Sequence, residues 1–293
     1  MALSEFELVN VQSGVRSLRS LATGEVFHPV IGPMREAREL HVEQQSLRER
    51  ARQCAGIGEG GMVIWDVGLG AAANAIAAIE AVENLGIAVE IHSFDKTIAP
   101  LEFAFEHAEA LEYPLAYRAA IRGLLECGEA NLRRADGSLM DIRWQLHLGD
   151  FTEEVANGAI PNAPDAVFYD PYSPKRNPEM WTVGHLKRMR EHLTSPCLGT
   201  TYTRSTAMRV TFLLAGFFVG RGTGIGEKDE TTLLATAKEL LRDPLTPAWL
   251  ERVQRSSNAA PLRDAVEGSP DAPIAVEDMI ALRRHPQFSG EEM

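Results

Sequence analysis

The chain has 293 residues, of which 45% are hydrophobic and 24% are charged, a balance typical of a folded globular protein that excludes a disordered chain. The formal net charge of −12 argues against a surface that coats itself with nucleic acid. The first residues lack a basic region followed by an apolar run, and the most apolar stretch, "LGAAANAIAAI", is too short to span a bilayer. We therefore expect a cytoplasmic protein without a membrane segment.

The cysteines and histidines give no sign of a metal site. Cys54, Cys127 and Cys197 lie far apart, and none of the eight histidines forms an H-x-x-x-H pair. We expect no bound metal, and we expect the three thiols to be packed inside the protein, as is usual in a reducing compartment.

Short strands and one helix are predicted in the first 60 residues. "FELVNVQSG" and "VRSLRSLATGEVF" read as strands, and an amphipathic helix is predicted from about Pro33 to Gln53. We expect residues 1–60 to form an N-terminal extension.

The middle of the chain alternates buried strands with helices. "GMVIWDVG" is an apolar run, and the alanine-rich segment after it is a helix closed by Gly86. "IAVEIHSFD" is the next strand, and a helix follows with Thr97 as its cap. These segments are successive βα units.

Later elements complete the sheet. A hairpin is predicted to turn at Asp136-Gly137, "DAVFYD" and "PCLGTTY" are strands, and helices are predicted at 178–193 and 204–216. "FFVGRG" and "TTLLATA" form a last pair of strands across "TGIGEKDE", which we interpret as a flexible hairpin loop. The predicted fold class is α/β: a doubly wound, mostly parallel sheet with an antiparallel hairpin at its late edge. We expect the core to cover residues 61–238 and residues 239–293 to form a C-terminal strap.

Three acidic residues follow three successive strands, which favours an adenosine-bearing ligand. Asp66 comes just before Gly68 and Gly70, Asp95 ends the second strand, and Asp150 ends "LHLGD". Ligands of doubly wound sheets bind at these strand ends, where a carboxylate can accept from a ribose diol. The structural alternatives to ligand binding are that Gly68 and Gly70 only form a tight turn and that each of the three acids only caps a helix.

The ligand class follows from the glycine pattern. Position 73 is Ala, so the G-x-G-x-x-G pattern of dinucleotide-binding proteins is incomplete. An acid on the ligand side, Asp66, would receive a pyrophosphate poorly and a cation well. S-adenosyl-L-methionine, which has a sulfonium and an amino group, meets this description.

The segment after "DAVFY" indicates an amine substrate. Asp170 ends the strand, and the Pro171-Tyr172-Ser173-Pro174 run restricts the backbone that follows. A carboxylate there can accept hydrogen bonds from an amine nucleophile and stabilise the charge that develops on its nitrogen. The tyrosine could stack on a planar base.

Basic residues are concentrated between 171 and 228. Nine lysines and arginines minus three acids leave an excess of six positive charges there. The basic residues are Lys175, Arg176, Lys187, Arg188, Arg190, Arg204, Arg209, Arg221 and Lys228. A basic face for nucleic acid is one interpretation, and the solvated side of a helix is the other.

"DPYSPKRNPEMW" at 170–181 resembles the D-x-F-[AS]-P-x-K-N-P-E-[ML]-W signature of the methyltransferase half of bacterial MnmC. "GLGAAAN", "HSFDK" and "LHLGD" are similar to further segments of that family, as are "FHPVIGPMREARELHVEQ", the stretch from 201 to 235 and "WLERVQRSSNAAPLRD". The resemblance covers most of the chain and implies a Rossmann-like class I S-adenosylmethionine-dependent methyltransferase.

The chain departs from that family at a few positions. Ala71-Ala72 stand where Thr-Gly is usual, Asp95 stands where Glu is more usual, and Tyr172-Ser173 adds a hydroxyl to the signature. The bacterial enzyme also has a flavin-dependent oxidoreductase half, and this chain ends where that half would begin. We therefore expect the stand-alone methyltransferase form.

The resemblance implies roles for individual residues. Asp170 would orient and deprotonate the substrate amine. The expected cofactor-binding residues are Asp66, Gly68, Leu69, Gly70, Asn74, Asp95, Lys96, Asp150, Phe151 and Asp170. The expected substrate-binding residues are Pro171, Tyr172, Ser173, Lys175, Arg176 and Lys228.

The implied reaction is methyl transfer from S-adenosyl-L-methionine to the aminomethyl nitrogen of a modified wobble uridine, which gives 5-methylaminomethyl-2-thiouridine in tRNA. The anticodon stem-loop is then the expected partner, and a separate flavin-dependent oxidoreductase that acts earlier is a second candidate. Two alternatives stay open: a small-molecule amine methyltransferase or aminopropyltransferase, and a non-catalytic RNA-binding protein that keeps the fold.

Overall fold

A computed structural model describes residues 5–56, 61–134, 137–193, 196–263 and 272–289. The chain divides into two compact units. The first unit contains Met1–Phe151, Ala166–Asp170 and Gly224–Lys228, and the second contains Thr152–Asp165, Pro171–Thr223 and Asp229–Met293. The expected boundaries at 60 and 238 stay predictions.

Strands and helices alternate through most of the described residues. The strands are β1 Phe6–Asn10, β2 Arg16–Ser20, β3 Met62–Val67, β4 Val89–Asp95, β5 Glu129–Arg133, β6 Leu139–Leu148, β7 Ala166–Tyr169, β8 Leu198–Thr201, β9 Phe218–Ile225 and β10 Lys228–Ala235. The helices are α1 Pro33–Ala37, α2 Leu47–Gly56, α3 Ala73–Val82, α4 Ala99–Glu106, α5 Ala108–Leu111, α6 Arg118–Cys127, α7 Phe151–Asn157, α8 Val183–His192, α9 Thr206–Leu214, α10 Pro247–Arg255 and α11 Val276–Arg283.

The sheet of the first unit has the order β5-β6-β4-β3-β7. β3 pairs in parallel with β4 and β7, and β4 pairs in parallel with β6. β5 pairs with β6 in the antiparallel direction, and β1 and β2 form a separate antiparallel ribbon. The carboxyl ends of four parallel strands therefore meet at one edge, which is where the predicted ligand acids lie.

The core of the first unit forms between the sheet and α3. β3 is an apolar run, and nine residues of α3 are buried, five of which are alanine. Small side chains let a helix lie close to a sheet, and each fully buried Ile contributes about 1.5–3 kcal/mol through apolar burial. This packing fixes the end of β3 against the start of α3.

In the second unit, the strand order is β8-β10-β9, and β10 pairs with β8 in the antiparallel direction. Gln287 connects the C-terminal part of the chain to this unit: its side chain accepts from the N–H of Val219 and donates to the carbonyls of Val219 and Leu245. These three bonds satisfy backbone groups that burial would otherwise leave unpaired.

The prediction of one continuous helix at 33–53 is wrong. α1 is followed by a π-helical segment, Arg38–Glu43, and Ser46 with a φ of 48° separates it from α2. The π turn places His41 in a stack on Phe168, and the Gln45 side chain donates to the carbonyl of Val167. Tertiary contacts with β7 thus override the regular helical pattern.

The predicted flexible loop at 223–230 is also wrong. β9 and β10 extend through most of it and leave only Gly226 and Glu227 between them. Glycines depress strand propensity in a sequence, but cross-strand bonds such as Thr231 Oγ1 to the carbonyl of Thr223 continue the hairpin here.

Three further predictions are revised in detail. The helix predicted at 178–193 begins as a 3₁₀ turn at Pro178–Trp181, and Thr182 then caps α8 by accepting from the N–H of His185. The hairpin of β5 and β6 is confirmed, whereas Asp136 of its predicted turn lies outside the described residues. Cys197 is buried as predicted, but Cys127 is exposed.

In the described part of the chain, no helix is long and apolar enough to cross a membrane.

Candidate cofactor and amine site

The glycine loop between β3 and α3 turns through left-handed backbone. Gly68, Gly70 and Ala72 have φ values of 96°, 52° and 69°. The N–H groups of Gly68 and Leu69 donate to the carbonyl of Phe94 at 3.0 and 3.1 Å. A Cβ at Gly70 would lie 3.2 Å from Cε2 of Phe27, so glycine is needed there for both space and φ.

Asp95 holds this loop from the end of β4. Its Oδ2 accepts from the N–H of Gly70 at 3.0 Å, and its Oδ1 accepts from the N–H of Thr97 at 3.1 Å. Burial raises the pKa of Asp95, and the backbone N–H donors offset this only in part. Each carboxylate oxygen has a second lone pair, which leaves acceptor capacity for a ribose hydroxyl.

Asp66 lies under the loop and is fully buried. Ser93 Oγ donates to Asp66 Oδ2 at 2.8 Å and accepts in turn from Trp144 Nε1 at 2.9 Å. Oδ1 of Asp66 is buried and has no hydrogen-bond partner among the described residues. Burial, with the nearby charges of Asp170 and Asp95, raises the pKa of Asp66 to about 8.

Asp170 and Asn74 meet where β7 ends and α3 begins. Asn74 Nδ2 donates to Asp170 Oδ2 at 2.9 Å, and the N–H of Asp170 donates to the carbonyl of Val67 at 2.9 Å. Burial raises the pKa of Asp170 to about 6, against the lowering effects of the His28 charge and the Asn74 hydrogen bond. Oδ1 of Asn74 is buried and has no partner within the described ranges.

His28 and Glu36 are residues of the site that sequence reasoning missed. His28 Nδ1 lies 3.8 Å from Glu36 Oε1, and the charge of His28 acts on Asp170. Burial lowers the pKa of His28, but the hydrogen bond and charge of Glu36 reverse this and raise it overall. Both residues lie in "FHPVIGPMREARELHVEQ", yet their spacing of eight matches no catalytic pattern. Only the resemblance of that segment pointed to it.

The two residues predicted for adenine lie at the end of β6. Lys96 Nζ is 3.0 Å from Asp150 Oδ2. Phe151 is 3% exposed and packs edge-to-face against Phe94 and Trp65, with ring centroids 4.8 and 6.2 Å apart. The Phe151 ring is thus part of an aromatic cluster, which restricts the ring surface that a ligand could reach.

The signature segment continues from Asp170 into the second unit, where its carbonyls are engaged. The carbonyl of Pro171 accepts from the hydroxyl of Tyr202 at 3.2 Å, and that of Tyr172 accepts from Trp181 Nε1 at 2.9 Å. The carbonyl of Ser173 accepts from the N–H groups of Arg176 and Asn177. These bonds hold the backbone rigid, as its prolines predict. The carbonyls of Pro171 and Tyr172 are therefore already hydrogen-bonded within the protein.

The nine basic residues between 171 and 228 do not form a single free basic face. Arg209 is buried and forms an ion pair with Glu230 at 2.8 Å. Arg204 and Arg221 lie within ion-pair distance of acidic side chains, and Arg190 donates to the carbonyl of Thr236. Four of the nine are exposed and form no ion pair with another described residue: Lys175, Arg176, Lys187 and Arg188.

Among the described residues, no cluster of three His, Cys, Asp or Glu side chains is placed to hold a metal ion. His92 and His147 do contact each other, with His92 Nδ1 3.0 Å from His147 Nε2. Burial lowers the pKa of both imidazoles, that of His147 to about 4.

Comparisons with known proteins point to a methyltransferase. A family model described as S-adenosyl-L-methionine-dependent methyltransferase matches residues 125–238. The tRNA 5-methylaminomethyl-2-thiouridine biosynthesis bifunctional protein MnmC of Pseudomonas syringae pv. syringae is 26% identical over 254 residues, which is 80% of this chain and 36% of that protein. The protein of the same name from Ralstonia nicotianae is 30% identical over 176 residues, 57% of this chain and 25% of that protein. The chain thus spans about a third or less of the length of these curated relatives.

Solved structures share the fold. MnmC2 from Aquifex aeolicus has a TM-score of 0.66 at 23% identity, over 96% of this chain and 85% of that chain. Spermidine synthase from Thermotoga maritima has a TM-score of 0.51 at 10% identity, over 94% and 83%. The predicted Rossmann-like class I methyltransferase fold is confirmed, as are the MnmC resemblance and S-adenosyl-L-methionine as the cofactor.

Proposed function

We propose that this MnmC2-like, S-adenosyl-L-methionine-dependent methyltransferase methylates the aminomethyl nitrogen of a modified wobble uridine in tRNA, converting 5-aminomethyl-2-thiouridine to 5-methylaminomethyl-2-thiouridine. The observation that carries the proposal is the partly buried Asp170 carboxyl, which Asn74 holds beside the glycine loop. The names of the relatives from Pseudomonas and Ralstonia support this substrate.

The residues of the first unit fit the cofactor. S-adenosyl-L-methionine supplies a methyl group made electrophilic by a sulfonium. Oδ1 of Asp66 and Oδ1 of Asn74 are buried acceptors without partners in the described structure, and acceptors of this kind suit an ammonium group. Asp95 is proposed to hold the ribose, and Asp150 with Phe151 the adenine. Gly68, Leu69, Gly70 and Lys96 complete the proposed cofactor set.

Asp170 is proposed to prepare the amine. An aliphatic ammonium ordinarily has a pKa of roughly 10, so it must lose a proton before its lone pair can attack. With a pKa of about 6, Asp170 is a carboxylate at neutral pH. Asn74 donates to its Oδ2, so we assign Oδ1 to accept the proton and orient the nitrogen.

The remaining predicted substrate residues are proposed to meet the anticodon stem-loop. Lys175 and Arg176 are exposed and follow the rigid turn of the signature. We assign them to phosphates, together with Lys187 and Arg188, and we assign Tyr172 to base stacking. Pro171 and Ser173 are proposed to shape this contact and Lys228 to add charge. The proposed setting is the cytoplasm, after a flavin-dependent oxidoreductase has formed the amine.

The test is incubation of the protein with labelled S-adenosyl-L-methionine and tRNA that lacks the final methyl group. Label is expected on the wobble uridine. Asp170→Asn should lower kcat by about 10²–10⁴-fold, the usual contribution of a general base, with cofactor affinity largely kept. Asp141→Asn, which changes an exposed carboxyl on β6, is the matched control and should keep full activity.

The competing activities give different outcomes. Label on a polyamine or another small amine would replace the tRNA assignment with a small-molecule enzyme. Cofactor binding by calorimetry without any transfer to tRNA would favour the non-catalytic alternative.

A further inference from the structure

His28 and Glu36 form a partly buried pair in the first unit that the proposed reaction does not yet use. Their side chains are 15% and 12% exposed, and His28 Nδ1 lies 3.8 Å from Glu36 Oε1. His28 has a φ of 49°, a left-handed conformation that a non-glycine residue rarely adopts. Such backbone persists only where the surrounding structure determines it, and it occurs often at functional sites.

Contacts on both sides of His28 fix its place in the site. Its neighbour Phe27 lies against the glycine loop, within 3.2 Å of where a Cβ at Gly70 would be. Two residues later, Val30 packs against the tip of the hairpin, within 2.9 Å of where a Cβ at Gly226 would be. The segment that carries His28 is therefore held between the cofactor loop and the hairpin tip that carries Lys228.

The charges around Asp170 alternate in sign. His28 and Lys228 favour its ionised form, whereas Glu36 opposes it. His28 itself faces Glu36, Asp170, Asp66, Lys228 and His41. Glu36 dominates this set, because its hydrogen bond and charge raise the pKa of His28 above the ordinary value in spite of burial. The charge of His28 in turn lowers the pKa of Asp170.

We propose that His28 is a positioning residue: held by its ion pair with Glu36, it keeps a positive charge beside Asp170, so that this carboxyl is ionised when the substrate amine arrives. The proposal rests on the proposed function. In the step it supports, an N–H bond of the substrate ammonium breaks and an O–H bond forms on Asp170. His28 keeps its own proton throughout, and Glu36 prevents its loss.

The test compares a neutral and a charged substitution. His28→Gln should move the acid limb of the pH profile of kcat/KM upward by about 1 pH unit, because an opposite charge nearby lowers a carboxyl pKa by about that much or more. His28→Lys, which keeps the charge, should restore the limb to near its wild-type position. A purely structural role would lower activity at all pH values without moving the limb.

A matched control is available in the same unit. His92 is also buried and lies 3.5 Å from an acid, Glu90, but it is not among the groups whose charge acts on Asp170. His92→Gln should leave the acid limb in place. An equal shift in this variant, or no shift in His28→Gln, would overturn the proposal.

A second measurement does not depend on activity. In protein labelled with ¹³C at the Asp carboxyls, the Asp170 signal is assigned by its absence in Asp170→Asn and is followed with pH. We expect its midpoint to rise in His28→Gln, and we expect a second inflection in the wild type where His28 loses its proton. A single inflection with an unchanged midpoint contradicts the proposal. If tRNA is not methylated, the proposed function fails, while this titration still decides the role of His28.

Discussion

Asp66 and Asp170 follow neighbouring strands and yet differ in charge at neutral pH. Burial raises the pKa of both, to about 8 for Asp66 and about 6 for Asp170. The charges of Asp170 and Asp95 raise the pKa of Asp66 further, whereas the Ser93 hydrogen bond and the charge of His28 lower it. At Asp170, the charge of His28 and the Asn74 hydrogen bond lower the pKa. The sequence argument that a charged Asp66 selects a cation therefore fails for the free protein. A cationic ligand would have to draw the proton off Asp66.

The buried carboxyl of Asp66 predicts a pH dependence of stability. Because its folded pKa is raised, its contribution to stability is fully present below the unfolded pKa of about 3.9 and is lost as pH rises through about 8. In this window one group changes the free energy of unfolding by about 1.4 kcal/mol per pH unit. We expect denaturant unfolding of the wild type to show this loss between about pH 6 and about pH 8.

Asp66→Asn should remove that part of the pH dependence, so its loss of stability over the same interval should be smaller by about 2 kcal/mol. Asp141→Asn, with an exposed carboxyl, should follow the wild type. Parallel curves for wild type and Asp66→Asn would show that Asp66 is ionised in the folded protein.

At the scale of elements, the turn from β3 into α3 explains a departure from the MnmC pattern. The family has Thr-Gly where this chain has Ala71-Ala72. Ala72 precedes α3 with a φ of 69°, its N–H donates to the carbonyl of Leu69, and its carbonyl accepts from the N–H of Ile76. The loop thus has the left-handed residue that Gly usually provides, at a cost of about 1–2 kcal/mol for a residue with a Cβ.

This geometry predicts opposite effects at adjacent positions. Ala72→Gly should raise the free energy of unfolding by about 1 kcal/mol, because glycine adopts this φ without strain. Ala71→Gly should lower it by about 0.5–1 kcal/mol, because Ala71 has no positive φ to relieve and glycine adds disorder to the unfolded chain. Thermal unfolding of the two variants tests both expectations. A loss of stability in Ala72→Gly would show that the backbone at Ala72 is not strained.

At the scale of the whole molecule, a chain of net charge −12 needs local positive surface to bind tRNA. Four of the nine basic residues between 171 and 228 are exposed and form no ion pair within the described part of the chain, whereas Arg209 is buried. Arg209→Ala should therefore act on stability, since it leaves Glu230 without its closest cation. Arg209→Ala should not directly alter the salt dependence of tRNA binding.

The exposed cations predict a salt-dependent affinity for tRNA. Replacing Lys175 and Arg176 by Gln should weaken tRNA binding and reduce the slope of log K against log salt by about 1 per lost phosphate contact. Cofactor affinity should not change. Replacing Arg48 and Arg52, which are exposed on α2, removes the same charge elsewhere and should have a smaller effect. Equal slopes in both double variants would assign the effect to net charge alone.

The sequence by itself determined the alternation of strands and helices, the glycine turn after β3 and the acids at the strand ends, and the proposed role of Asp170 comes from it. These features are local, because an apolar run, a glycine or a proline restricts the backbone where it stands. The sequence did not predict the break in the helix at 33–53 or the length of the last hairpin. Contacts with other strands override local propensity at both places.

Only the tertiary structure decided the His28–Glu36 pair, the raised pKa of Asp66 and the burial of Arg209. Each depends on residues that are distant in the chain or on the removal of a charge from water. Spacing in a sequence does not report desolvation, which changes a pKa by several units when a group is enclosed. The residues proposed for the site thus come largely from the sequence, whereas the shifts of their pKa values required the fold.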